Sequence, residues 1–439
     1  MKTRQIMMAG LLAMTTAEAE AQNSPEEKFN MAMYAVTNMY VDSVDKTKFV
    51  DAEIAKMLQS LDPFSEYLPP MTAKANEEAI LGKPLSSQTG GTTAPVAAKP
   101  AAVPSSFSTI KAYYMMDKTT GYINLSMFAE TTPEEFRQTL AKLKKQGMKH
   151  LVLDLRSNGG GLFDAALEVA DEFLDGDKVI VSTKGAHIPS ETFRAKTKGA
   201  MEKGRLVLLV GENTKSAAEI FAAAIRDWDR GVLVGKTTFG KGQIQQTLPF
   251  SDGSALRITV ARYLTPCGMS IQKPYNGVSL NDTTAVWKSM VYHRPLKCNG
   301  GVEADVQAEV NADYMTNWYA LLTVSGVQTA VAGKYVADLK DKLLKKYPTA
   351  DNFAKAFETP RDVMTALCQT AEGAGIPTDK ADYEKSEAQL KAQMKAVICS
   401  RLYGDNNLYY KLFNANNNVM KRALEIIEGN EYNTILQAK

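Results

Sequence analysis

The chain holds only three histidines, His150, His187 and His293, among its 439 residues. None stands at a metal-ligand spacing from another, and so few leave little material for a histidine-based catalytic triad. Cysteine is equally sparse: Cys267, Cys298, Cys368 and Cys399. No CxxC pair exists, which excludes a zinc ribbon. Cys368 and Cys399 fall in the same helical part of the chain. They could pair in an oxidising compartment or stay as buried thiols. Excess charge is also missing. A net charge of +2 gives no reason to expect nucleic acid or an anionic membrane as partner. Beyond the N-terminus no apolar run approaches the roughly 20 residues of a membrane span. What remains is 45% hydrophobic and 23% charged, ordinary for a globular protein. The length suits two or three domains of about 100–200 residues each.

The first residues have the order of a secretory signal. Lys2 and Arg4 precede an apolar run from Ile6 to Met14, and Ala17, Ala19 and Ala21 follow. That run is too short to span a bilayer, and the flanks fit cleavage near Ala21 better than a core helix. No cysteine lies there to carry a lipid anchor. Residues 1–21 are therefore expected to be a signal peptide, and the protein to be exported, periplasmic or otherwise extracytoplasmic.

Ser24, Pro25 and Glu27 form a helix-start signature with proline at the first turn. Phe29, Met33, Val36 and Tyr40 then recur at helical spacing. A second helix is expected over 51–61, ended by Pro63, so 24–75 reads as a helical segment. Residues 83–106 carry four prolines and almost no large apolar side chains. Such a stretch cannot bury a core, and 76–107 is expected to be a flexible linker. From 108 to 310 short apolar runs alternate with amphipathic stretches. Strands are expected at 122–128, 151–155, 179–182, 206–210 and 232–234, with helices opening near Thr131, Phe163 and Ser216. This alternation implies βαβ units and a mostly parallel sheet, hence a mixed α/β class. Residues 255–263 alternate like a half-exposed strand. Beyond 311 the chain turns helical to its end at 439. There Leu390, Met394, Val397 and Ile398 share one face, and Gly404 is a stop signal.

Three stretches could carry chemistry. Ser216 stands between an apolar strand ending at Val210 and a run of helix formers from Ala217. It is either a capping serine or a nucleophile held at a helix N-terminus. Gly235, Gly240 and Lys241 have phosphate-loop spacing. However, Gly242 replaces the required hydroxyl residue and 243–248 reads as a strand, which excludes a nucleotide site. Gly159, Gly160 and Gly161 follow a strand and open a helix. Their freedom lets backbone approach a ligand closely, and their N–H groups could hold an oxyanion.

The order of these stretches resembles the C-terminal processing peptidases, also called tail-specific proteases. The shared features are the glycine turn, Ser216-Ala217-Ala218-Glu219 and Phe239-Gly240-Lys241-Gly242. In that family a lysine follows the serine by 25 residues and a glutamine follows the lysine by four, and Ser216, Lys241 and Gln245 meet both spacings. The resemblance extends from about Phe29 to Val310. It includes Asp62-Pro63-Phe64-Ser65 in the helical segment, Asp252-Gly253-Ser254 and Tyr263-Leu264-Thr265-Pro266 after the lysine, and Gly300 to Val306 in a returning strand.

The resemblance implies a crotonase/Clp-protease-like core flanked by helical regions. It also implies a serine endopeptidase with Ser216 as nucleophile, Lys241 as general base and Gln245 supporting the lysine. A desolvated site can keep a lysine neutral for that task. Oxyanion donors are expected among the N–H groups of Ala217, Gly160 and Gly161. Glu219 is expected to hold the turn or a neighbouring loop. No metal or cofactor is implied, and the partner is a protein or peptide substrate. The helical regions could serve homo-oligomerisation. Lys215 departs from the small residue common before the nucleophile. Adjacent side chains diverge, so it is expected to face solvent. Family members usually carry a PDZ domain after the N-terminal helices, but residues 70–120 leave too little chain for one, and its absence is expected. Two other readings fit the same fold: a non-cleaving peptide-binding or scaffold protein, and a small-ester hydrolase.

Overall fold

The computed structural model describes residues 24–70, 72, 108–275, 286–297, 300–310, 313–415 and 417–438. The expected signal peptide, the expected linker that bears on the PDZ question, and Cys298 lie outside the described residues. The chain divides after Tyr67 into two compact units.

The first unit is helical, as the sequence implies. Helix α1 (Pro25–Met39) opens on a complete capping box. Ser24 Oγ accepts the Glu27 N–H at 3.2 Å, and Glu27 accepts the Ser24 N–H at 3.0 Å. None of its residues is buried, and Phe29, Met31, Tyr34 and Met39 are exposed. Helix α2 (Lys46–Gln59) begins earlier than expected, because Asp45 caps it by accepting the Lys48 N–H. Asp62 then accepts the N–H groups of Phe64 and Ser65 and turns the chain into a short strand, β1 (Glu66–Leu68).

The second unit is built on a six-stranded sheet. Its first elements are β2 (Ile110–Met115), β3 (Thr120–Leu125), α3 (Thr132–Lys145), β4 (His150–Asp154) and α4 (Phe163–Asp171). Next come β5 (Val179–Lys184), β6 (Glu191–Arg194), β7 (Leu206–Val210), α5 (Ala217–Asp227) and β8 (Val232–Gly235). They are followed by β9 (Gln243–Pro249), β10 (Ala255–Leu264), β11 (Trp287–Lys288), β12 (Pro295–Leu296) and β13 (Val306–Gln307). The large sheet runs β13-β8-β7-β4-β3-β2, parallel throughout except for the antiparallel edge strand β2. Strand β10 pairs antiparallel with β9 and with β5, and β5 with β6. The mixed α/β expectation holds.

Strand β7 and the centre of β4, Leu151 to Leu153, are apolar runs because both their faces are covered, as parallel sheets require. Leu151, Leu153, Leu206 and Leu208 join the core with α3, α4 and α5. Val152, Val207, Leu209 and Val234 face the other way. Their cover is α12 (Asn418–Glu428) and α13 (Glu431–Leu436), through Val419, Ala423, Ile426, Ile427 and Tyr432. Arg205 fastens this cover by donating to the carbonyls of Ile427 and Gly429 at the end of α12. A cation there also opposes the negative end of the helix dipole.

The helices of the C-terminal region contribute to two apolar cores. Helices α6 (Asn317–Val324), α7 (Val327–Lys346), α8 (Ala350–Ala356), α9 (Arg361–Gly373), α10 (Lys380–Tyr403) and α11 (Asn406–Ala415) share a separate core. Trp318, Leu322, Phe353, Leu367, Leu390, Met394 and Ile398 form it. Gly404 ends α10 with a left-handed φ of 67°, as its place in the sequence implies. Cys368 and Cys399 are both free thiols, and burial pushes Cys399 up to about 12. Helix α11 covers the edge strand: Asn407 accepts the Tyr113 N–H at 2.7 Å, and Asn414 donates to the Tyr114 hydroxyl. No helix of the described residues is long and apolar enough to cross a membrane.

Candidate active site

Strand β7 delivers the chain to Ser216 through a short loop that is stitched to its neighbours. Thr214 Oγ1 accepts the Gly211 N–H and donates to the Leu155 carbonyl at 2.8 Å. The Lys215 N–H donates to the Asn158 carbonyl. Ser216 itself has φ 54° and ψ −120°, a region that costs a non-glycine residue roughly 1–3 kcal/mol. It occupies the cap position of α5. The Ser216 N–H donates to Glu219 Oε2 at 2.9 Å, and the Glu219 N–H donates to the Ser216 carbonyl at 2.8 Å.

The glycine turn after β4 lies against this serine. A Cβ on Gly160 would stand 2.9 Å from Ser216 Cβ and 2.8 Å from the Lys215 carbonyl oxygen. A Cβ on Gly161 would stand 2.0 Å from the Phe128 carbonyl oxygen. Their φ values of 98° and 133° also favour glycine. The turn springs from a braced strand end. Asp154 accepts two hydrogen bonds from the Arg156 guanidinium at 2.9 and 2.7 Å and one from the Tyr122 hydroxyl at 2.8 Å. Burial alone would push the Asp154 carboxyl up, but Arg156 and these hydrogen bonds hold it below its usual value.

The lysine arrives on the loop after β8. Glu219, buried in the first turn of α5, ties that loop to the serine. Its carboxylate accepts the Gly240 N–H at 2.7 Å, the Lys241 N–H at 2.9 Å and the Thr238 hydroxyl at 2.5 Å, besides the Ser216 N–H. Burial pushes its pKa up against the pull of these four donors. Tyr263 of β10 makes a second tie. Its hydroxyl lies 2.5 Å from the Lys241 carbonyl oxygen and 3.2 Å from that of Ser216. Burial pushes its pKa well up, so the proton stays available for donation. Lys241 Nζ donates to Gln245 Oε1 at 2.5 Å. A side chain four residues on reaches back because β9 begins just after the lysine.

Ser216, Ala217, Gly161, Lys241 and Gln245 line one cleft of about 480 Å³. Among the described residues no protein acceptor takes the N–H of Ala217 or Gly161. Of the two glycines named as alternative oxyanion donors, Gly160 has its N–H engaged by Asn158 Oδ1 at 2.9 Å. Lys215 is half-buried, lies over the Phe239 ring 4.3 Å from its centroid, and is not in the cleft wall. Among the described residues no cluster of three or more His, Cys, Asp or Glu side chains could hold a metal.

Asn158, Thr238 and Tyr263 escaped sequence reasoning as site residues. Asn158 and Tyr263 stood inside motifs that were visible, but the partners of Tyr263 lie 22 and 47 residues away. Nothing local marked Thr238.

Residues 119–281 match the model of Peptidase family S41, and residues 318–404 match a family of unknown function. Over 155 residues the chain is 42% identical to a chloroplastic C-terminal processing peptidase of Tetradesmus obliquus, covering 35% of this chain and 33% of that one. It is 28% identical over 319 residues to the carboxy-terminal processing protease CtpA of Bacillus subtilis, covering 58% and 68%. It is 36% identical over 214 residues to a carboxyl-terminal-processing protease of Synechocystis, covering 48% and 47%. A photosystem II D1 C-terminal processing protease matches in structure at 33% identity and a TM-score of 0.35, over 45% of each chain. The alignments thus span between about a third and two thirds of these curated relatives.

Proposed function

We propose that this chain, whose residues 119–281 form a peptidase family S41 domain, is an exported serine endopeptidase that acylates Ser216 with Lys241 as general base. One observation carries the reading: Glu219 and Tyr263 each hold the backbones of both Ser216 and Lys241, and the two side chains line one cleft.

The chemistry follows from that placement. Neutral Lys241 Nζ takes the Ser216 hydroxyl proton as Oγ attacks the peptide carbonyl carbon. Gln245 Oε1 holds an Nζ–H and so aims the remaining lone pair. The oxyanion of the tetrahedral intermediate is received by the N–H groups of Ala217 and Gly161. Both sit on backbone fixed before substrate arrives, one at the start of α5 and one on the glycine turn. The Lys241 ammonium then protonates the leaving amine, and water hydrolyses the acyl-enzyme by the reverse route. The positively charged start and the small residues before Ala21 support export.

The test is digestion of an unfolded model protein by wild type, Ser216→Ala and Lys241→Ala. Both variants are expected to stay folded by circular dichroism and to lose proteolysis. Full activity in Lys241→Ala would sink the dyad. Labelling of Ser216 by a fluorophosphonate without any proteolysis would favour an ester hydrolase instead.

A further inference from the structure

Lys241 has to be neutral to act as a base, and burial supplies only part of the reason. Its side chain is half-buried in the cleft wall, so its desolvation is incomplete. Two carboxylates work against neutrality. Glu219 accepts the Lys241 backbone N–H, and Asp164 of α4 stands in the same wall. Negative charge nearby favours an ammonium, and positive charge disfavours it. Of the other titratable groups around the lysine, Arg257 of β10 lines the wall, and Tyr263 keeps its proton because burial pushes its pKa well up.

Two further lysines converge on the loop that carries Lys241. Phe239, two residues before it, has Lys215 Nζ 4.3 Å and Lys273 Nζ 5.7 Å from its ring centroid. Among the described residues neither ammonium is paired with a carboxylate. The negative face of an aromatic ring holds cations that would otherwise extend into water. Backbone contacts fix all three residues. The Phe239 N–H donates to the carbonyl of Thr214, directly before Lys215, and the Lys215 N–H donates to the Asn158 carbonyl, both at 3.0 Å. The Lys273 N–H donates at 3.0 Å to the carbonyl of Gly240, directly before Lys241. The stem of Lys273 lies across that glycine, where an added Cβ would stand 2.6 Å from its Cγ. Lys215 also directly precedes Ser216, the residue whose proton Lys241 takes.

Resting on the peptidase reading, we infer that Lys215 and Lys273, gathered on the Phe239 ring, keep Lys241 neutral by like-charge repulsion. They touch no reacting atom and act only through Lys241. The inference accounts for a lysine at 215, where the resembling family has a small residue. One ammonium about 10 Å from another, at the effective dielectric of a protein surface, lowers its titration midpoint by about one pH unit. Solvent and salt reduce that to about half a unit.

The experiment follows the rate of fluorophosphonate labelling of Ser216 against pH in the full-length protein. The rate should rise as Lys241 loses its proton, so the midpoint of the rise reports the base. Removing a like charge favours the ammonium and moves that midpoint to higher pH. Lys215→Met and Lys273→Met are each expected to raise it by about half a unit to one unit, and the double variant by about the sum. Lys215→Arg keeps the charge and should keep the wild-type midpoint. On the alkaline plateau, where Lys241 is neutral in every protein, rates should agree within about twofold. A merely structural role would lower the plateau and leave the midpoint in place. Salt tests the same charge without a substitution. Going from about 10 mM to about 1 M sodium chloride should raise the wild-type midpoint, and raise it more than that of the double variant. Thermal melts by circular dichroism show which variants are folded. An unmoved midpoint in the folded double variant overturns the inference and leaves the dyad standing. If that variant does not fold, a wild-type midpoint that stays or falls with salt overturns it. A pH profile that is unchanged in Lys241→Ala sinks the dyad itself, and the inference with it.

Discussion

Glu219 Oε2 accepts the backbone N–H of Lys241 at 2.9 Å, joining the first turn of α5 to the loop that carries the lysine. The same carboxylate accepts three further donors, from Ser216, Thr238 and Gly240. Every neighbour donates, so replacing one oxygen by an amide sets donor against donor. Glu219→Gln is expected to cost about 1–3 kcal/mol of stability, the penalty for leaving a buried polar group unmatched. It should also slow fluorophosphonate labelling of Ser216 at least tenfold. Urea denaturation and labelling rates check the two effects. Unchanged labelling would reduce Glu219 to a packing role.

Tyr263→Phe removes the hydroxyl shared by the Ser216 and Lys241 carbonyls while keeping the ring. Stability should fall by about 0.5–1.5 kcal/mol, the net worth of a hydrogen bond. If the hydroxyl positions the dyad, kcat should fall about tenfold with KM little changed, the sign of an interaction that matters in the transition state. Steady-state proteolysis of one peptide by both proteins separates this from a loss of stability alone.

Gly160→Ala and Gly159→Ala form an internal control. Alanine at 160 meets Ser216 Cβ, the Lys215 carbonyl and a φ of 98°, whereas alanine at 159 meets nothing within 4 Å. Gly160→Ala should abolish detectable Ser216 labelling and lower the melting temperature. Gly159→Ala should retain the wild-type melting temperature. Equal behaviour of the two would refute the proposed contact between turn and serine.

Asp154 gives a pH dependence of defined sign. Arg156 and its hydrogen bonds hold the buried carboxyl below its ordinary value of 3.8 despite the opposing effect of burial. A carboxyl depressed in the folded state stabilises the protein above its unfolded pKa, and that stability is lost as pH falls through the folded pKa. Denaturant midpoints should therefore be steady above about pH 5 in this respect and fall steeply below about pH 4. Asp154→Asn should start lower at neutral pH and fall less steeply in acid. Parallel curves for both proteins would rule the group out.

Ile426 is fully buried beneath the sheet, beside Val207 and Leu209 in one core. Ile426→Ala is expected to cost about 2–5 kcal/mol, as for other large-to-small changes in a core. Equilibrium denaturation should show the loss as a lower midpoint with an unchanged slope. A cost below about 0.5 kcal/mol, the size of a typical surface change, would mean that α12 is not an integral cover of the sheet.

Much of the site was readable because its signals are local. The strand ending at Val210, the helix formers after Ser216 and the three adjacent glycines are neighbours in sequence, and each has a direct backbone consequence. The spacing from Lys241 to Gln245 was equally visible, and Gln245 receives Nζ in the fold. Between Gly160 and Gly161 the sequence left the choice open, and in the fold the Asn158 side chain, two residues back, takes the Gly160 N–H. The ring contact of Lys215 was not visible locally, because Phe239 arrives from another loop. Helix α2 was placed late because its cap, Asp45, lies ahead of the apolar pattern that suggested it.

By itself the sequence determined the class of fold and the glycine turn, from periodicity and from the special torsions of glycine. Its residue pattern left Ser216 open between cap and nucleophile, and the resemblance to C-terminal processing peptidases singled out Ser216 and Lys241 as candidate nucleophile and base. Only the tertiary structure decided that Glu219 and Tyr263 tie the backbones of Ser216 and Lys241 together. It also decided that the last helices, α12 and α13, return past a separately cored helical bundle to cover the second face of β4 and β7. Those outcomes depend on long-range hydrogen bonds and on which apolar faces find each other. The chain encodes them jointly, in residues as far apart as Arg205 and Gly429, 224 positions, and no local pattern carries that information.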